Sequence, residues 1–131
     1  MPHTGTLTAA GVVGSGVALR RHTYAWRAID GSLDVGIELD AVLDRVVTIP
    51  DINRVPTTLY DVTIEDQHGA DILLGLCANR SATAVETVWI ADDIETVRGA
   101  IIGSRGPLRF KVANAGPGNQ GLVVVYAFHA A

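Results

Sequence analysis

The chain has one cysteine, Cys77, which excludes an intrachain disulfide and any cysteine-built zinc cage. Its setting, LLGLCA, is apolar, which marks it as a small buried hydrophobe rather than a nucleophile. Charge is scarce as well. Only 18 % of the 131 residues are Asp, Glu, Lys or Arg against 48 % hydrophobic, a balance that excludes a disordered regulator and fits one domain with a single core. Cations are the scarcer sign, with ten Lys+Arg against fourteen Asp+Glu and a net charge of −4. Apart from Arg20-Arg21 they are scattered, so no basic stripe exists to track a phosphate backbone, and no direct nucleic-acid partner is expected. No apolar run reaches the roughly 18 residues of a membrane span. The opening MPHTGTLTAAGVVGSG lacks the basic start and long apolar core of a signal peptide, so the expectation is a protein made in a cytosol-like compartment with no membrane partner.

Patterns that carry chemistry are also missing. His3, His22, His68 and His129 have neither i, i+4 pairing nor His-x-His spacing. Asp66, Asp71, Asp92 and Asp93 do not follow the alternation of a calcium loop and read as turn residues. Gly14-Ser15-Gly16 neither follows a strand nor precedes the lysine of a phosphate-cradling loop. Gly103-Ser104-Arg105-Gly106 lacks the form of a nucleophile elbow. No catalytic residue, metal ligand or cofactor is named on these grounds, and the expected function is not enzymatic.

What is present is period-two alternation. Leu33, Val35, Ile37 and Leu39 alternate with Asp34, Gly36, Glu38 and Asp40, predicting a strand with one wet face. Tyr60, Val62 and Ile64 do the same, as do Leu108, Phe110 and Val112. Upstream, His22, Tyr24, Trp26 and Ala28 share one face, and Asp30-Gly31 predicts a hairpin between this strand and the next. AVLDRVVTI and LVVVYAFH are apolar on both faces. Turn signals recur about every ten residues, the pattern of an antiparallel all-β sandwich, here of about eight strands. A short helix or 3₁₀ segment is predicted only in VWIADDIETVRGAIIG. Of the seven aromatic residues, Tyr24, Trp26, Phe110, Tyr126 and Phe128 are expected to face inward, leaving no aromatic groove for a carbohydrate.

The glycines at 5, 11, 14 and 16 set residues 1–16 apart as a flexible N-terminal arm on a single domain of residues 17–131. Leu7, Val12 and Val13 are its apolar handles for a neighbouring subunit. Arg20, Arg21 and Arg27, around an aromatic strand, are the candidate partner-contact cations.

The run YDVTIEDQHGADILLGLCANRSATAVETV, preceded by LDRVVTIPDINRVPTT and followed by GPLRFKVANAGPGNQGLVVVYAF, resembles a group of small tailed-bacteriophage structural proteins. The likeness spans about Leu43 to Phe128 and includes Asn79-Arg80 and Asn114. It implies a capsid cement or decoration protein, a jelly-roll-like sandwich that binds across joints between major capsid protein subunits. It further implies self-association, a place on the capsid surface of the virion and synthesis in the host cytoplasm. A tail or neck component, or a carbohydrate-binding sandwich, are the alternatives.

Overall fold

The computed structural model describes residues 5–13, 19–39, 41–90, 103–104 and 107–128, with backbone alone for 5–13, 19, 41–42, 103–104 and 128. The described residues form nine strands and no helix: β1 (Gly5–Val13), β2 (Leu19–Ala28), β3 (Gly31–Glu38), β4 (Ala41–Pro50), β5 (Asp61–Glu65), β6 (Glu86–Trp89), β7 (Gly103–Ser104), β8 (Pro107–Gly116) and β9 (Asn119–Phe128). They make two antiparallel sheets, the larger in the order β1-β2-β9-β4-β6 with β7 on the end of β4, the smaller in the order β3-β8-β5. The protein is an all-β sandwich.

The core lies between the sheets and follows from alternation. Tyr24, Trp26 and Ala28 of β2, Val46 of β4, and Val123, Val125 and Ala127 of β9 are buried from the larger sheet, meeting Leu33, Val62, Ile64, Leu108, Phe110 and Val112 of the smaller. Two aromatic contacts cross the layer, Tyr24 to Phe110 at 5.6 Å and Trp26 to Tyr60 at 5.5 Å between ring centroids. Gly121 makes the second possible: a Cβ there would lie 2.9 Å from Trp26 Cζ2 and 2.9 Å from the Ile49 carbonyl oxygen. The indole occupies the space a side chain would need.

The apolar LLGLCA stretch is covered from within. Residues 71–80 run beside β5: Ile72 N–H donates to Ile64 O (2.8 Å), Val62 N–H to Cys77 O (3.0 Å) and Arg80 N–H to Tyr60 O (2.6 Å). This closes an edge that would otherwise expose unpaired backbone groups. Asp71 shapes the segment, its Oδ1 accepting from Ile64 and Leu73 N–H and its Oδ2 from Gly75 N–H. Leu73 and Cys77 are thereby fully buried, and burial pushes the Cys77 thiol up to about 12. Asp61 ties this segment to β8, accepting from Asn79 N–H at 2.8 Å and from Asn114 Nδ2 at 2.9 Å. Both asparagines have left-handed backbone (φ 57° and 61°), which Asn tolerates better than most residues. Their place is structural.

The hairpin predicted at Asp30-Gly31 is corrected: β2 pairs with β1 and β9, whereas β3 pairs with β8 in the other sheet. The same turn residues serve as a corner, because β2 and β3 each have an apolar face and bury it by facing one another across the core. A second corner at 116–119 lies against it, with Gly118 N–H donating to Ala28 O at 2.6 Å. Gly116 (φ 84°) is needed there, since a Cβ would sit 2.5 Å from Thr57 Oγ1. Of the segment read as an arm, residues 5–13 form β1, which lies along β2 of the same chain; residues 1–4 and 14–18 are outside the described residues. The helical expectation falls largely on residues 91–102, also outside them.

Candidate partner-binding face

The two outer faces of the sandwich differ in chemistry. On the smaller sheet Asp34, Glu65, Arg109 and Lys111 point outward and pair with one another. Arg109 Nε donates to Asp34 Oδ1 at 2.7 Å, and Lys111 Nζ lies 2.8 Å from Glu65 Oε1 and 4.0 Å from Asp34 Oδ2. The bond to Glu65 raises the Lys111 pKa. This face is suited to water.

The outward face of the larger sheet is arranged in rows set by strand register. Trp89, Arg45, Tyr126 and Arg21 are paired in sequence across β6, β4, β9 and β2. Thr87, Val47, Val124 and Thr23 form the next row, then Ile49, Leu122 and Ala25. Arg27 and Gln120 are paired at the far end. With strands about 4.8 Å apart and about 3.3 Å per residue, the first row spans roughly 14 Å and lies roughly 20 Å from the last. In the centre Val47, Ile49 and Leu122 are half-buried and Val124 is only 7 % exposed, with Arg21 at one end and Arg27 at the other. Arg45 packs in the first row, its guanidinium carbon 3.8 Å from the Tyr126 ring centroid and 5.1 Å from that of Trp89, with NH1 on Asp44 Oδ2 at 2.8 Å. Planar guanidinium stacking of this kind holds both rings in place while leaving an aromatic edge in water.

At the far end a cleft of about 380 Å³ opens over Gly121, walled by Ala25, Ile49 and Leu122 with Arg27, Gln120 and Asp51 at its rim. The loop after β4 forms one side. Asp51 Oδ2 accepts from Asn53 N–H (2.9 Å) and Arg54 N–H (2.7 Å), and Gln120 N–H donates to Arg54 O (3.0 Å). These bonds, with one from the Gln120 side chain, hold the Asp51 carboxyl below the usual range. The loop so fixed holds Ile52 88 % exposed on a ridge between this cleft and a second of about 230 Å³, lined by Val55, Ala82 and Thr83. Val85 (62 %) and Trp89 (49 %) add exposed apolar surface before and on β6, the edge of the sheet.

The structure separates the predicted contact cations. Arg21 and Arg27 project from the outer face at opposite ends, while Arg20 has the parity of His22, Tyr24 and Trp26 and belongs to the other face. Leu7, Val12 and Val13 lie in β1 opposite Trp26, His22 and Arg21, and their side chains are outside what is described. Tyr126 is a correction: expected inward, it lies on the outer face beneath Arg45, because Val123, Val125 and Ala127 hold the core positions of a strand apolar on both sides. Tyr24, Trp26 and Phe110 are buried as expected, and the Phe128 side chain is not described. Sequence reasoning passed over Arg45, Trp89 and Gln120. Among the described residues no group of three or more His, Cys, Asp or Glu is placed to hold a metal ion, and no helix is long and apolar enough to cross a membrane.

No protein-family model, curated protein or solved structure matches the chain.

Proposed function

We propose that this is a structural virion protein, a capsid cement or decoration protein that lays the outer face of its larger sheet on a protein shell, across joints between major capsid protein subunits. The observation that carries the reading is the difference between the faces: one is apolar in its centre and cationic at its ends, the other is ion-paired and wet. A contiguous apolar patch bounded by polar groups is the usual mark of a protein-binding surface, and the arginines suit a partner with acidic groups. Strands β2 to β6 alternate between the sheets, as do β7 to β9, with neighbours β2-β9-β4-β6 and β3-β8-β5, which supports a jelly-roll path. Copies repeated over a shell add weak contacts into a strong attachment, and self-association gains effective concentration in the same way.

A tail or neck component is the second reading, since the same face would serve there. Trp89 and Tyr126 are the observation that favours a carbohydrate module, but Arg45 fills the space over Tyr126 where a sugar ring would stack. Quantitative mass spectrometry of gradient-purified particles tests the proposal. Shell stoichiometry, with particles lacking the protein breaking at lower temperature, is the expected result. Vertex or tail stoichiometry would transfer it to the neck or tail, and absence from particles would end the virion reading.

A further inference from the structure

Resting on the self-association in that reading, we infer that two copies of the chain join edge to edge through β6, antiparallel about a twofold axis at Thr87, so that their larger sheets become one. β6 ends the strand order, and among the described residues only β4 pairs with it. Two hydrogen bonds fix which of its backbone groups remain. Ile90 N–H donates to Asp44 O at 2.9 Å on the β6 side of β4, and Asp51 N–H donates to Gln120 O at 3.3 Å on the β9 side. Hydrogen-bonded positions alternate along an antiparallel pair, so Val88 and Glu86 exchange bonds with Val46 and Thr48, while Thr87 and Trp89 turn their N–H and C=O groups to the open edge. Val85, just before the strand, has their parity. Unpaired edge groups are a template for another strand, and Val85 to Trp89 contain no proline, lysine or bulge to block one.

Register and charge select a second copy as that strand. Antiparallel pairing centred on Thr87 sets all three open positions opposite one another: Thr87 meets Thr87, and Val85 meets Trp89 twice. Val85 and Trp89 are the large apolar residues this edge leaves exposed, Trp89 even with Arg45 packed on its ring, and each copy covers those of the other. Thr opposite Thr is a favourable cross-strand pair. Glu86 is the one charge in the stretch, and it is engaged in its own chain by Ser81 N–H at 2.6 Å and Arg80 NH1 at 3.6 Å. It comes to lie opposite Val88 of the second copy, so the twofold brings no like charges together. A strand of another protein chosen by its charge would find nothing here to recognise. Five residues a side is fewer than the roughly 20–30 of a standard interface, so the dimer is weak in dilute solution and fills where copies are concentrated, as on a shell.

Sedimentation equilibrium from about 10 µM to about 1 mM protein, with isotope-filtered nuclear Overhauser spectra of an equal mixture of labelled and unlabelled chains, tests the inference. The expected result is a reversible monomer–dimer equilibrium, contacts between the Val85 methyls of one chain and the Trp89 ring of another, and a dimer association constant at least tenfold lower in Thr87→Pro. That substitution removes an N–H on the open edge and none of the bonds to β4, so the monomer keeps its sheet. A monomer at every concentration, oligomers larger than a dimer, intermolecular contacts elsewhere than β6, or undiminished dimerisation of Thr87→Pro would each overturn the inference. The wild-type contacts carry the decision if Thr87→Pro does not fold. The measurement contains no particle, so failure of the capsid reading, seen as absence from virions, is distinguishable from failure here.

Discussion

Gly121→Ala adds one methyl group at a place where the structure has none to spare. The new Cβ would lie 2.9 Å from Trp26 Cζ2, 3.1 Å from Trp26 Cε2 and 2.9 Å from the Ile49 carbonyl oxygen. The oxygen belongs to the β4 strand paired with β9, and the indole is buried 5.5 Å from the Tyr60 ring. Neither can yield without moving a packed neighbour, so the change is an overpacking one, with an expected loss of about 1–3 kcal/mol. At about 2.1 cal/mol/K per residue, 131 residues give an unfolding entropy near 0.28 kcal/mol/K, so the midpoint falls by about 4–11 °C. Urea titration gives the free energy and calorimetry the midpoint, with an unchanged m-value showing that the unfolded state is the same. Trp26→Phe removes Cζ2, the nearer of the two indole atoms in conflict, and in its background the glycine substitution is expected to be milder by about 1 kcal/mol, the carbonyl contact remaining. A loss below about 0.5 kcal/mol in the wild type, or additivity of the two changes within about 0.5 kcal/mol, would refute the argument that the indole occupies the missing side chain's place.

Asp61→Ala removes the acceptor for both Asn79 N–H and Asn114 Nδ2 and is expected to lower stability by about 1–3 kcal/mol in urea; a change within about 0.5 kcal/mol would show that the two left-handed asparagines hold without it. Burial raises both the Cys77 thiol and the Tyr60 hydroxyl to about 12, from 9.0 and 10.0 respectively. The unfolded chain therefore releases these protons first as pH rises, so their stabilising effect is complete below about pH 9 and is lost between there and about pH 12. Urea midpoints measured across that window should fall, less steeply in Cys77→Ala, and a thiol reagent near neutral pH should label Cys77 only on unfolding; rapid native labelling would contradict its burial. Leu122→Asp places a carboxylate on the outer face without touching the core. It should leave the fold intact by circular dichroism yet reduce co-sedimentation with particles at least tenfold, and undiminished binding would move the contact off this face.

The parts of the fold that were legible in the sequence are those with one wet side. Leu33 to Glu38, Asp61 to Glu65 and Leu108 to Val112 alternate because the smaller sheet's outer face meets water, and each was found as a strand with that orientation. In β4 and β9 both faces are apolar, so period two cannot say which side is the core, and Tyr126 was assigned to the wrong one. Asp30-Gly31 signals a tight turn but not whether the chain returns in the same sheet or crosses to the other. That choice is made by β8 and β9, which arrive much later in the chain. The site was less legible for a related reason. Arg21 and Arg27 were visible as cations, but the Trp89, Arg45, Tyr126 and Arg21 row exists only once four strands are paired in register, and register is a tertiary property.

The position of β9 also bears on how the protein is made. It is synthesised after every other described strand, yet it lies between β2 and β4 and joins them into one sheet. Until its residues are available, β2 and β4 each present an unsatisfied edge, and the apolar runs that later meet in the core have no second wall. Ribosomes must therefore deliver the residues of β9 before the larger sheet can close, and closure depends on contacts distant in sequence, which form slowly. Nascent chains crowded together in a cell producing them at high rate are exposed to edge-to-edge pairing for that interval. Soluble yield should then depend on translation rate and temperature more than on the stability of the finished sandwich.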